Sequence, residues 1–509
     1  MLSKVYSFAL NGLEGVPVEV ETDINKGMVA YDLVGLPDTA IKESKERVRS
    51  AIKNSIMNFP INKITINLAP ADLKKEGSHY DLPIAISILK ASDQLLADTD
   101  GVVFMGELAL DGTLRAVTGI LPMLISAKNK GFTRFIVPEA NANEASFIEG
   151  TTVYALSTLK EVTELLTGER PFDPVPRRKY TDVKELRKYN CDLSYVKGQR
   201  VAKRAMEIAV AGGHNILLVG PPGAGKTMLA RCLPTIMPDM TFEEALEVTK
   251  IHSVAGELSD EGIVTLRPFR TPHHTATTVS LCGGGNVKIK AGEISKAHKG
   301  VLFLDEIPEY TRHALESLRQ PLEDGVITIT RAGGAVTFPA DFVLCASMNP
   351  CPCGNYGSPE LTCTCSPSQI KKYRSKISGP LLDRIDLQVE MDSVKYDDLI
   401  AENGEETSAQ VKERVEKARE VQRERFIGDD KIETNSNMGE KQIKAYCRLS
   451  YECEEILRAA FNDMHLSARA RSRIIKVART IADLDMSADI KPRHILEAAS
   501  YRSYDSEKV

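Results

Sequence analysis

The stretch Gly220-Pro-Pro-Gly-Ala-Gly-Lys-Thr227 decides the predicted fold of this chain. It matches G-x-x-x-x-G-K-[ST], a pattern whose glycines let main-chain amides converge on phosphate oxygens at a helix N-terminus. The apolar segment Ile216–Val219 enters it, and the helix-compatible segment Thr227–Leu233 leaves it. Strand, loop and helix together predict an α/β domain with a nucleotide site. The predicted ATP-binding residues are Gly220, Pro221, Pro222, Gly223, Ala224, Gly225, Lys226 and Thr227.

Two further apolar runs end in polar side chains that suit this nucleotide. Val301–Leu304 leads into Asp305 and Glu306, and Phe342–Ala346 leads into Ser347-Met348-Asn349. Such runs are typical of parallel strands, whose carboxyl ends meet at one crevice. We predict that Lys226 contacts the β- and γ-phosphates and that Thr227 and Asp305 hold Mg²⁺. Glu306 is predicted to activate the attacking water, and Asn349 to contact that water or the γ-phosphate.

Four of the ten cysteines form a cluster, namely Cys351, Cys353, Cys363 and Cys365. Their spacing is C-x-C, nine residues, C-x-C, and four thiolates on a short loop suit tetrahedral Zn²⁺. The spacing departs from the commoner C-x₂-C, so free thiols or a redox pair are the alternative. We expect zinc because clustered cysteines in a large chain under reducing conditions favour a metal over disulfides.

Composition predicts a soluble cytoplasmic protein of several domains. The 509 residues are 42% hydrophobic and 27% charged, and 65 basic against 70 acidic residues give a net charge of −5. That balance argues against coating nucleic acid by bulk charge but allows local basic patches. No apolar run reaches the ~18 residues that span a bilayer, and the first fifteen residues lack a signal-peptide core. We expect no membrane partner.

Sequence patterns divide the chain into four ranges. Residues 1–169 mix strand-like segments such as Lys63–Leu68 with helix-like segments such as Leu82–Leu89. Residues 170–191 carry three prolines in six positions and are assigned to a linker. Residues 192–393 alternate strand-like and helix-like runs, which predicts the ATPase domain. Residues 394–509 carry apolar stripes of helical period, as at Val411, Val415 and Ala418.

The order of these motifs resembles that of an AAA+ ATPase, a parallel-sheet P-loop domain with a helical lid. Residues 379–386 (GPLLDRID) resemble the arginine-finger segment, which implies that Arg384 reaches the ATP of a neighbouring subunit. Residues 466–469 (LSAR) resemble the sensor-2 segment, which implies that Arg469 contacts the γ-phosphate in its own subunit. A trans-acting arginine is worth ~10³–10⁵ in rate. The alternative for both is a surface ion pair, and Arg471 and Arg473 compete for the sensor-2 role.

A narrower resemblance covers nearly the whole chain. The segments FRTPHH (269–274), GGG (283–285), AGEISKAH (291–298) and QPLEDG (320–325) resemble the ComM/YifB family of magnesium-chelatase-type AAA+ ATPases. In that branch an insertion and a β-hairpin project toward the pore of a ring, and Val326–Phe338 predicts a hairpin around Ala-Gly-Gly. His273 and His274 are expected to point to opposite faces of an extended segment, which disfavours a shared metal ion.

The N-terminal range resembles the α+β catalytic domain of Lon proteases, a fold like that of ribosomal S5 domain 2. The resemblance rests on Gly106–Gly119 and Phe135–Glu139. Lon enzymes use a Ser–Lys dyad, and the matching positions here are Asp81 and Leu121. Leucine cannot act as a base, and a carboxylate is not the expected nucleophile. We expect a proteolytically inactive domain used in assembly or DNA handling, with nearby Ser78 as a helix cap.

The resemblance implies an ATP-driven hexameric helicase that promotes branch migration during natural transformation and recombination. DNA, branched or single-stranded, is then the expected partner. A local basic channel is sufficient to track a phosphate backbone. The candidate basic residues are Lys288, Lys290, Lys296, Lys299, Arg331, Arg469, Arg471, Arg473, Lys476 and Arg479. The alternative is a remodeller of a protein complex, as in magnesium chelatase. An ATP-dependent protease is disfavoured by Leu121 and Asp81.

Overall fold

The computed structural model describes residues 2–184, 189–285, 290–331, 334–357, 361–393, 405–429, 432–464 and 467–502. Contacts between Cα atoms divide the chain into two compact units. Unit 1 contains residues 1–187, 241–265 and 285–290, and unit 2 contains residues 188–240, 266–284 and 291–509. Each unit has its own sheet and its own core.

The described strands are β1 Leu2–Asn11, β2 Glu14–Asn25, β3 Ala30–Val34, β4 Lys63–Ala69, β5 Val102–Phe104, β6 Glu107–Leu108, β7 Leu114–Arg115, β8 Arg134–Pro138, β9 Thr152–Leu156, β10 Ile216–Val219, β11 Phe269–Arg270, β12 Gly283–Gly284, β13 Lys290–Ala291, β14 Val301–Leu304, β15 Val326–Arg331, β16 Gly334–Pro339, β17 Val343–Met348 and β18 Leu387–Glu390.

The described helices are α1 Thr39–Lys42, α2 Ser44–Asn54, α3 Asp81–Ala91, α4 Ile120–Asn129, α5 Ala142–Ala145, α6 Leu159–Thr167, α7 Tyr180–Lys184, α8 Arg200–Gly212, α9 Lys226–Ile236, α10 Phe242–Ala255, α11 Thr278–Cys282, α12 Glu293–Lys296, α13 Arg312–Glu316, α14 Pro321–Asp324, α15 Pro367–Arg374, α16 Gly379–Leu382, α17 Ser408–Arg425, α18 Glu440–Tyr446, α19 Tyr451–Asp463, α20 Ala468–Leu484 and α21 Pro492–Ser500. Short 3₁₀ helices span Ser78–Tyr80, Glu139–Asn141, Leu193–Tyr195, Ile307–Glu309 and Asn435–Asn437.

Unit 1 is built on a mixed seven-stranded sheet in the order β3-β4-β2-β1-β5-β8-β9. Pairs β1–β2 and β2–β4 are antiparallel, and the other neighbours are parallel. Successive residues of a strand face opposite sides of its sheet. Val5 therefore joins the core around α3, whereas Phe8 joins the core around α4. The predicted strand at 63–68 and the predicted buried helix at 82–89 are both confirmed.

Residues 241–265 pack with unit 1, although they follow the phosphate-loop helix in sequence and fall inside the predicted ATPase range. The buried carboxylate of Glu144 accepts hydrogen bonds from the main-chain N–H of Leu121 at 3.0 Å and from the Ser253 hydroxyl. Asn143 Nδ2 donates to the carbonyl of Asp260 at 2.6 Å. These contacts satisfy a buried acid and hold α10 on unit 1, and the sequence pattern contained no sign of them.

Unit 2 is built on a parallel five-stranded sheet in the order β11-β14-β17-β10-β18. Strands β10, β14 and β17 are buried along their whole length, which explains their continuous apolar sequences. Strand β17 separates β10 from β14, so the side chains that follow these three strands converge at one edge. The predicted strands at 215–219, 301–304 and 342–346 are confirmed within two residues at each end.

The helical C-terminal range and the hairpin also match the sequence predictions. Val411, Val415 and Ala418 are buried on one stripe of α17. Strands β15 and β16 pair antiparallel from Val326 with Pro339 to Arg331 with Gly334. The two residues between them, 332 and 333, lie outside the described residues.

Candidate functional site

The phosphate loop connects β10 to α9 and is shaped by glycines at three points. Gly223 and Gly225 have φ of +78° and +87°, in the left-handed region that favours glycine. A Cβ on Gly220 would lie 2.7 Å from the carbonyl oxygen of Met391, so the loop packs too closely for a side chain there. The loop opens α9 at its N-terminus, where main-chain N–H groups attract anions.

Lys226 is held at the centre of this loop. Its Nζ donates to the carbonyls of Gly220 at 2.7 Å and Pro221 at 2.9 Å and to Oδ1 of Asn349 at 3.1 Å. Burial lowers the pKa of Lys226, while the carboxylates of Asp305 and Glu306 act in the opposite direction. A bound phosphate would supply negative charge at the same place and favour the protonated lysine.

Thr227 and Asp305 provide two adjacent oxygens at the start of α9 and the end of β14. Thr227 Oγ1 donates to Asp305 Oδ2 at 3.0 Å. The buried hydroxyl of Ser347 donates to Asp305 Oδ1, and the main-chain N–H of Glu306 donates to Ser347 Oγ at 3.3 Å. Hydroxyl and carboxylate oxygens are the donors that Mg²⁺ prefers beside a phosphate, so the residues present fit that ion.

Glu306 projects from a constrained backbone toward an unanticipated neighbour. Its φ is +51°, in the left-handed region, and its side chain is 54% exposed. His274 Nδ1 lies 3.9 Å from Glu306 Oε2. His274 was not among the residues predicted for this site. His274 follows the end of β11 by four residues, and β11 is the neighbour of β14, the strand that leads to Glu306. This position in the chain is the feature that could have indicated the contact.

The predicted orientation of the two histidines is wrong. The rings of His273 and His274 lie with centroids 4.0 Å apart, instead of pointing to opposite faces. Residues 271–274 lie beyond the end of β11 and are not a strand, so strand alternation does not apply to them. The structure gives His273 Nδ1 a contact with Thr275 Oγ1 at 2.8 Å.

Arg384 and Arg469 line one cavity of about 680 Å³, together with Glu323, Arg473 and Lys476. Three other lining residues, Asn215, Phe342 and Asp386, immediately precede β10, β17 and β18. The phosphate loop follows the opposite end of β10. The cavity and the loop therefore lie at opposite edges of the sheet, roughly 13 Å apart along a four-residue strand.

Arg469, the predicted contact of the γ-phosphate in its own chain, lines this cavity at the amino edge of the sheet. Arg469 is exposed at the start of α20 and makes no hydrogen bond or ion pair with any residue that the structure describes. It shares its edge of the sheet with Arg384, the residue expected to act on a neighbour. Leu466, which belongs to the same motif, lies outside the described residues.

Arg384 is 8% exposed and only partly satisfied. One terminal nitrogen donates to the carbonyl of Pro380 at 2.8 Å, and the other bonds to the carboxylate of Glu323. Its Nε is buried without a hydrogen-bond partner among the described residues. The guanidinium thus retains one buried donor that no described residue satisfies.

Asp386 anchors the same segment to the helical lid. It lies 3.2 Å from His214 Nδ1 and accepts a hydrogen bond from Arg473. Burial alone would raise the pKa of Asp386, but Arg473 and His214 lower it well below its usual range. His214 Nε2 also lies 2.8 Å from the Thr480 hydroxyl, which extends the network into α20.

Most of the candidate basic residues are engaged within the chain. Lys299 is 9% exposed and pairs with Asp341 and Glu433, so it does not line a channel. Lys296 pairs with Glu293. In α20 the partners are Glu454 for Arg471, Asp386 for Arg473, the carbonyl of Ser436 for Lys476 and Asp483 for Arg479. Lys290 is exposed, and Lys288 and the side chain of Arg331 lie outside the described residues.

The four clustered cysteines converge on one point. Their sulfurs all lie within 4.8 Å of one another, and the three pairs among Cys351, Cys353 and Cys363 are 3.4, 3.7 and 3.7 Å apart. A tetrahedron with Zn–S bonds of ~2.3 Å has edges of ~3.8 Å, so the arrangement fits Zn²⁺. Main-chain N–H groups of Asn355 and Thr364 lower the pKa of Cys353 to about 5. Partial burial and the neighbouring thiols raise the pKa of Cys365 to about 12. Four thiolates at this spacing repel one another, and a bound cation would favour their ionised forms.

The positions that match the Lon dyad carry structural contacts. Asp81 is fully buried and accepts two hydrogen bonds from Arg47, at 2.7 and 2.9 Å. Leu121 is buried in the core around α4. The predicted cap at Ser78 is wrong, because its hydroxyl bonds to Glu107 and the 3₁₀ helix there has no side-chain cap. The hydrogen bond described for the Ser78 hydroxyl is to Glu107, and Lys75 Nζ bonds to the carbonyl of Pro70 instead.

Comparison with known proteins agrees with this architecture. The family model described as magnesium chelatase, subunit ChlI, matches residues 192–399. The models for subunit ChlI of Mg-chelatase and for the ChlI C-terminal region match residues 20–141 and 405–502. Competence protein ComM of Haemophilus influenzae and the uncharacterized protein YifB of Escherichia coli are each 44% identical to the chain, over 99% of it and 97% of their own length. Magnesium-chelatase subunit ChlI of Olisthodiscus luteus is 27% identical over 30% of the chain and 48% of its own length.

The parallel sheet, the phosphate loop and the matched domains define a magnesium-chelatase-type AAA+ protein. Within that class the chain belongs to the ComM/YifB family. No helix in the described part of the chain has the length and apolar character needed to cross a membrane.

Proposed function

We propose that this protein is an ATPase that works as a hexameric ring motor on DNA and promotes branch migration. In this proposal Lys226 and the loop amides bind the phosphates, while Thr227 and Asp305 hold Mg²⁺. Glu306 activates the attacking water, and Asn349, already bonded to Lys226, contacts that water or the γ-phosphate. When bound, Mg-ATP supplies the phosphoryl group and the charge that neutralises it.

The observation that carries the ring is the division of catalytic groups between two edges of one sheet. The phosphate loop lies at the carboxyl edge, whereas Arg384 and Arg469 line a cavity at the amino edge. One chain therefore cannot bring its own arginines to its own phosphates without rearrangement. A neighbouring copy can supply both, and a heterologous contact of this kind forms a ring when the rotation between successive copies closes. We accordingly assign Arg469, like Arg384, a role in trans.

DNA as the substrate is supported by the family. A relative 44% identical over nearly the whole chain is named a competence protein, and the resemblance to its family implies a DNA motor. Among the described residues, the exposed side chain of Lys290 suits contact with a phosphate backbone. None of the ten cysteines, all within the described ranges, forms a disulfide, and we propose the reducing cytoplasm as the place of action.

Stimulation of ATP turnover by defined DNA tests this proposal. The protein is incubated with Mg-ATP and with linear duplex, single-stranded, forked or three-strand DNA, and both phosphate release and strand separation are followed. We expect the forked and three-strand substrates to raise turnover and to be unwound. Turnover with no DNA stimulation, binding or unwinding would contradict the DNA motor and favour remodelling of a protein complex, as magnesium-chelatase relatives suggest.

The proposed cofactors are Mg-ATP and one structural Zn²⁺ per chain. Elemental analysis of protein purified without added metal is expected to find about one zinc per chain, held by Cys351, Cys353, Cys363 and Cys365. Serine at Cys363 should lower that content, whereas serine at Cys447, a buried cysteine distant in sequence from the cluster, should leave it unchanged.

A further inference from the structure

The cysteine loop begins two residues after a contact of the phosphate site. Asn349 accepts a hydrogen bond from Lys226 and is followed by Pro350 and Cys351. Cys351 is fully buried, and its sulfur accepts a hydrogen bond from the main-chain N–H of Tyr356 at 3.3 Å. The first zinc ligand and the γ-phosphate contact thus belong to one short, ordered segment.

A second contact joins the cysteine loop directly to the phosphate loop. Gly354 lies between the first pair of cysteines and the second, with φ of +84°. A Cβ built on Gly354 would lie 2.6 Å from Cδ and 3.0 Å from Cγ of Pro222. Pro222 is one of the phosphate-loop residues. The two loops therefore touch with no room for a side chain between them.

The far side of the cysteine loop is fixed to α15. Arg374 Nε donates to the carbonyl of Pro350 at 3.3 Å, and its guanidinium lies 5.2 Å from the centre of the Tyr356 ring. Cys365, the last ligand, is followed by Ser366, whose side chain caps α15. The cysteine loop is thus held between α15 on one side and the phosphate loop on the other. A zinc ion bound by its four cysteines would join the two ends of this loop.

We propose that zinc at these four cysteines holds the phosphate loop in its nucleotide-binding shape, so that zinc and nucleotide bind cooperatively. This inference rests on the zinc site of the proposed function but not on ATP hydrolysis or DNA. Zinc bound to the four cysteines orders the loop between them. The ordered loop then packs Gly354 against Pro222 and holds Asn349 beside Lys226. Coupling between two sites is reciprocal, so each ligand strengthens the other by the same factor.

Zinc release from the full-length protein measures this coupling. Loss of zinc to a chromogenic chelator is followed with and without saturating Mg-ADP, which involves no turnover. We expect saturating Mg-ADP to raise the affinity of the protein for zinc by about 5-fold to 150-fold, the usual range of such coupling, so that more chelator is needed to remove the metal. Removal of zinc should weaken Mg-ADP binding by the same factor, as measured by fluorescence of a labelled nucleotide.

Two variants distinguish the effect of the Gly354–Pro222 contact from the effect of backbone strain. Gly354→Ala and Gly357→Ala both place alanine at a left-handed φ, +84° and +79°, but only Gly354 has Pro222 within 4 Å. We expect Gly354→Ala to reduce the coupling factor toward one and Gly357→Ala to preserve it. Lys226→Ala, which is expected to bind no nucleotide, should release zinc at one rate under both conditions.

The outcomes distinguish this inference from the proposed function. Equal zinc affinity with and without Mg-ADP, in protein shown to bind both, overturns the coupling and leaves the motor intact. Absence of zinc from the purified protein overturns both the zinc site and the coupling. Loss of the coupling in both alanine variants assigns the effect to backbone strain and overturns the role of the Gly354–Pro222 contact.

Discussion

Lys226 Nζ and Asn349 Oδ1 lie 3.1 Å apart and join the phosphate loop to the end of the adjacent strand. The amide oxygen occupies one donor direction of the ammonium group, and two loop carbonyls occupy others. An incoming phosphate competes for the same ammonium hydrogens. Nucleotide binding is therefore expected to release or redirect Asn349, which makes this side chain responsive to the presence of a terminal phosphate.

Replacing Lys226 and Glu306 should separate binding from turnover. Lys226→Ala is expected to abolish nucleotide binding, because its ammonium group lies at the centre of the phosphate loop. Glu306→Gln should retain binding and lose turnover by ~10²–10⁴-fold, the usual contribution of a general base. A labelled nucleotide reports binding, and phosphate release reports turnover. Full turnover in Glu306→Gln would remove this residue from the catalytic set.

Asn349 should affect turnover more than binding. Asn349→Ala is expected to lower turnover by ~10²-fold or more, in the range seen when a single polar contact to a reacting oxygen is lost. Asn349→Asp should be at least as defective, because a carboxylate there would pair with Lys226 and repel the γ-phosphate. Steady-state kinetics with varied ATP checks both. An effect confined to the apparent affinity for ATP would argue for a binding role only.

Stability at low pH should depend on Asp386. Its pKa is lowered by Arg473 and His214, so its contribution to the free energy of unfolding is fully present above the ordinary pKa of 3.8 and is lost as pH falls through the lower folded value. Asp386→Asn leaves the charge of Arg473 uncompensated and should cost about 3–5 kcal/mol at neutral pH, with a flatter acid profile. Denaturant unfolding at several pH values measures both effects.

Asp383→Asn is the matched control for that experiment. Asp383 lines the same cavity three residues earlier and has no ion pair among the described residues. It should therefore change the free energy of unfolding by less than about 0.5 kcal/mol. A comparable loss of stability in both variants would indicate that the ion pairs of Asp386 do not contribute specifically to the free energy of unfolding.

The N-terminal unit should show no peptidase activity. Asp81 pairs with Arg47, the Ser78 hydroxyl bonds to Glu107, and Leu121 stands where the dyad lysine belongs. Casein is expected to survive prolonged incubation with wild-type protein and Mg-ATP. Cleavage that disappears in Ser78→Ala would show that a nucleophile operates here by another route.

Local patterns predicted the elements of this fold but not the contacts between them. Continuous apolar runs before Gly220, Asp305 and Ser347 identified buried strands, because burial on both faces excludes polar residues. The contact of His274 with Glu306 was missed, since it depends on β11 being the neighbour of β14. The partners of Lys299 were also missed, because Asp341 and Glu433 are 42 and 134 residues away in sequence.

The edge of the sheet at which Arg469 lies could likewise not be predicted from local sequence patterns. The sequence places Arg469 at the start of a helix, as observed, but cannot say which edge of the sheet that helix approaches. The network from Asp386 through His214 to Thr480 sets this edge. Its two hydrogen-bonded pairs are 172 and 266 residues apart in sequence, so no short motif encodes it.

Arg469 can be assigned to one pocket or the other by mixing variants. Arg469→Ala and Lys226→Ala are each expected to be inactive alone. If Arg469 acts on a neighbour, mixed rings contain interfaces with an intact Lys226 on one side and an intact Arg469 on the other, and turnover recovers in part. If it acts within its own chain, every pocket is defective and mixing restores nothing. The geometry predicts recovery.

The same design with Arg384 tests the central claim, that neighbouring copies complete each other's nucleotide pocket. Arg384→Ala is expected to lower turnover by ~10³-fold or more on its own. Mixed in equal amounts with Lys226→Ala, random assembly leaves about one interface in four intact. We predict that ATP turnover of this mixture rises well above that of either variant. Unchanged inactivity in rings shown to contain both chains, or full turnover by Arg384→Ala alone, would contradict the account.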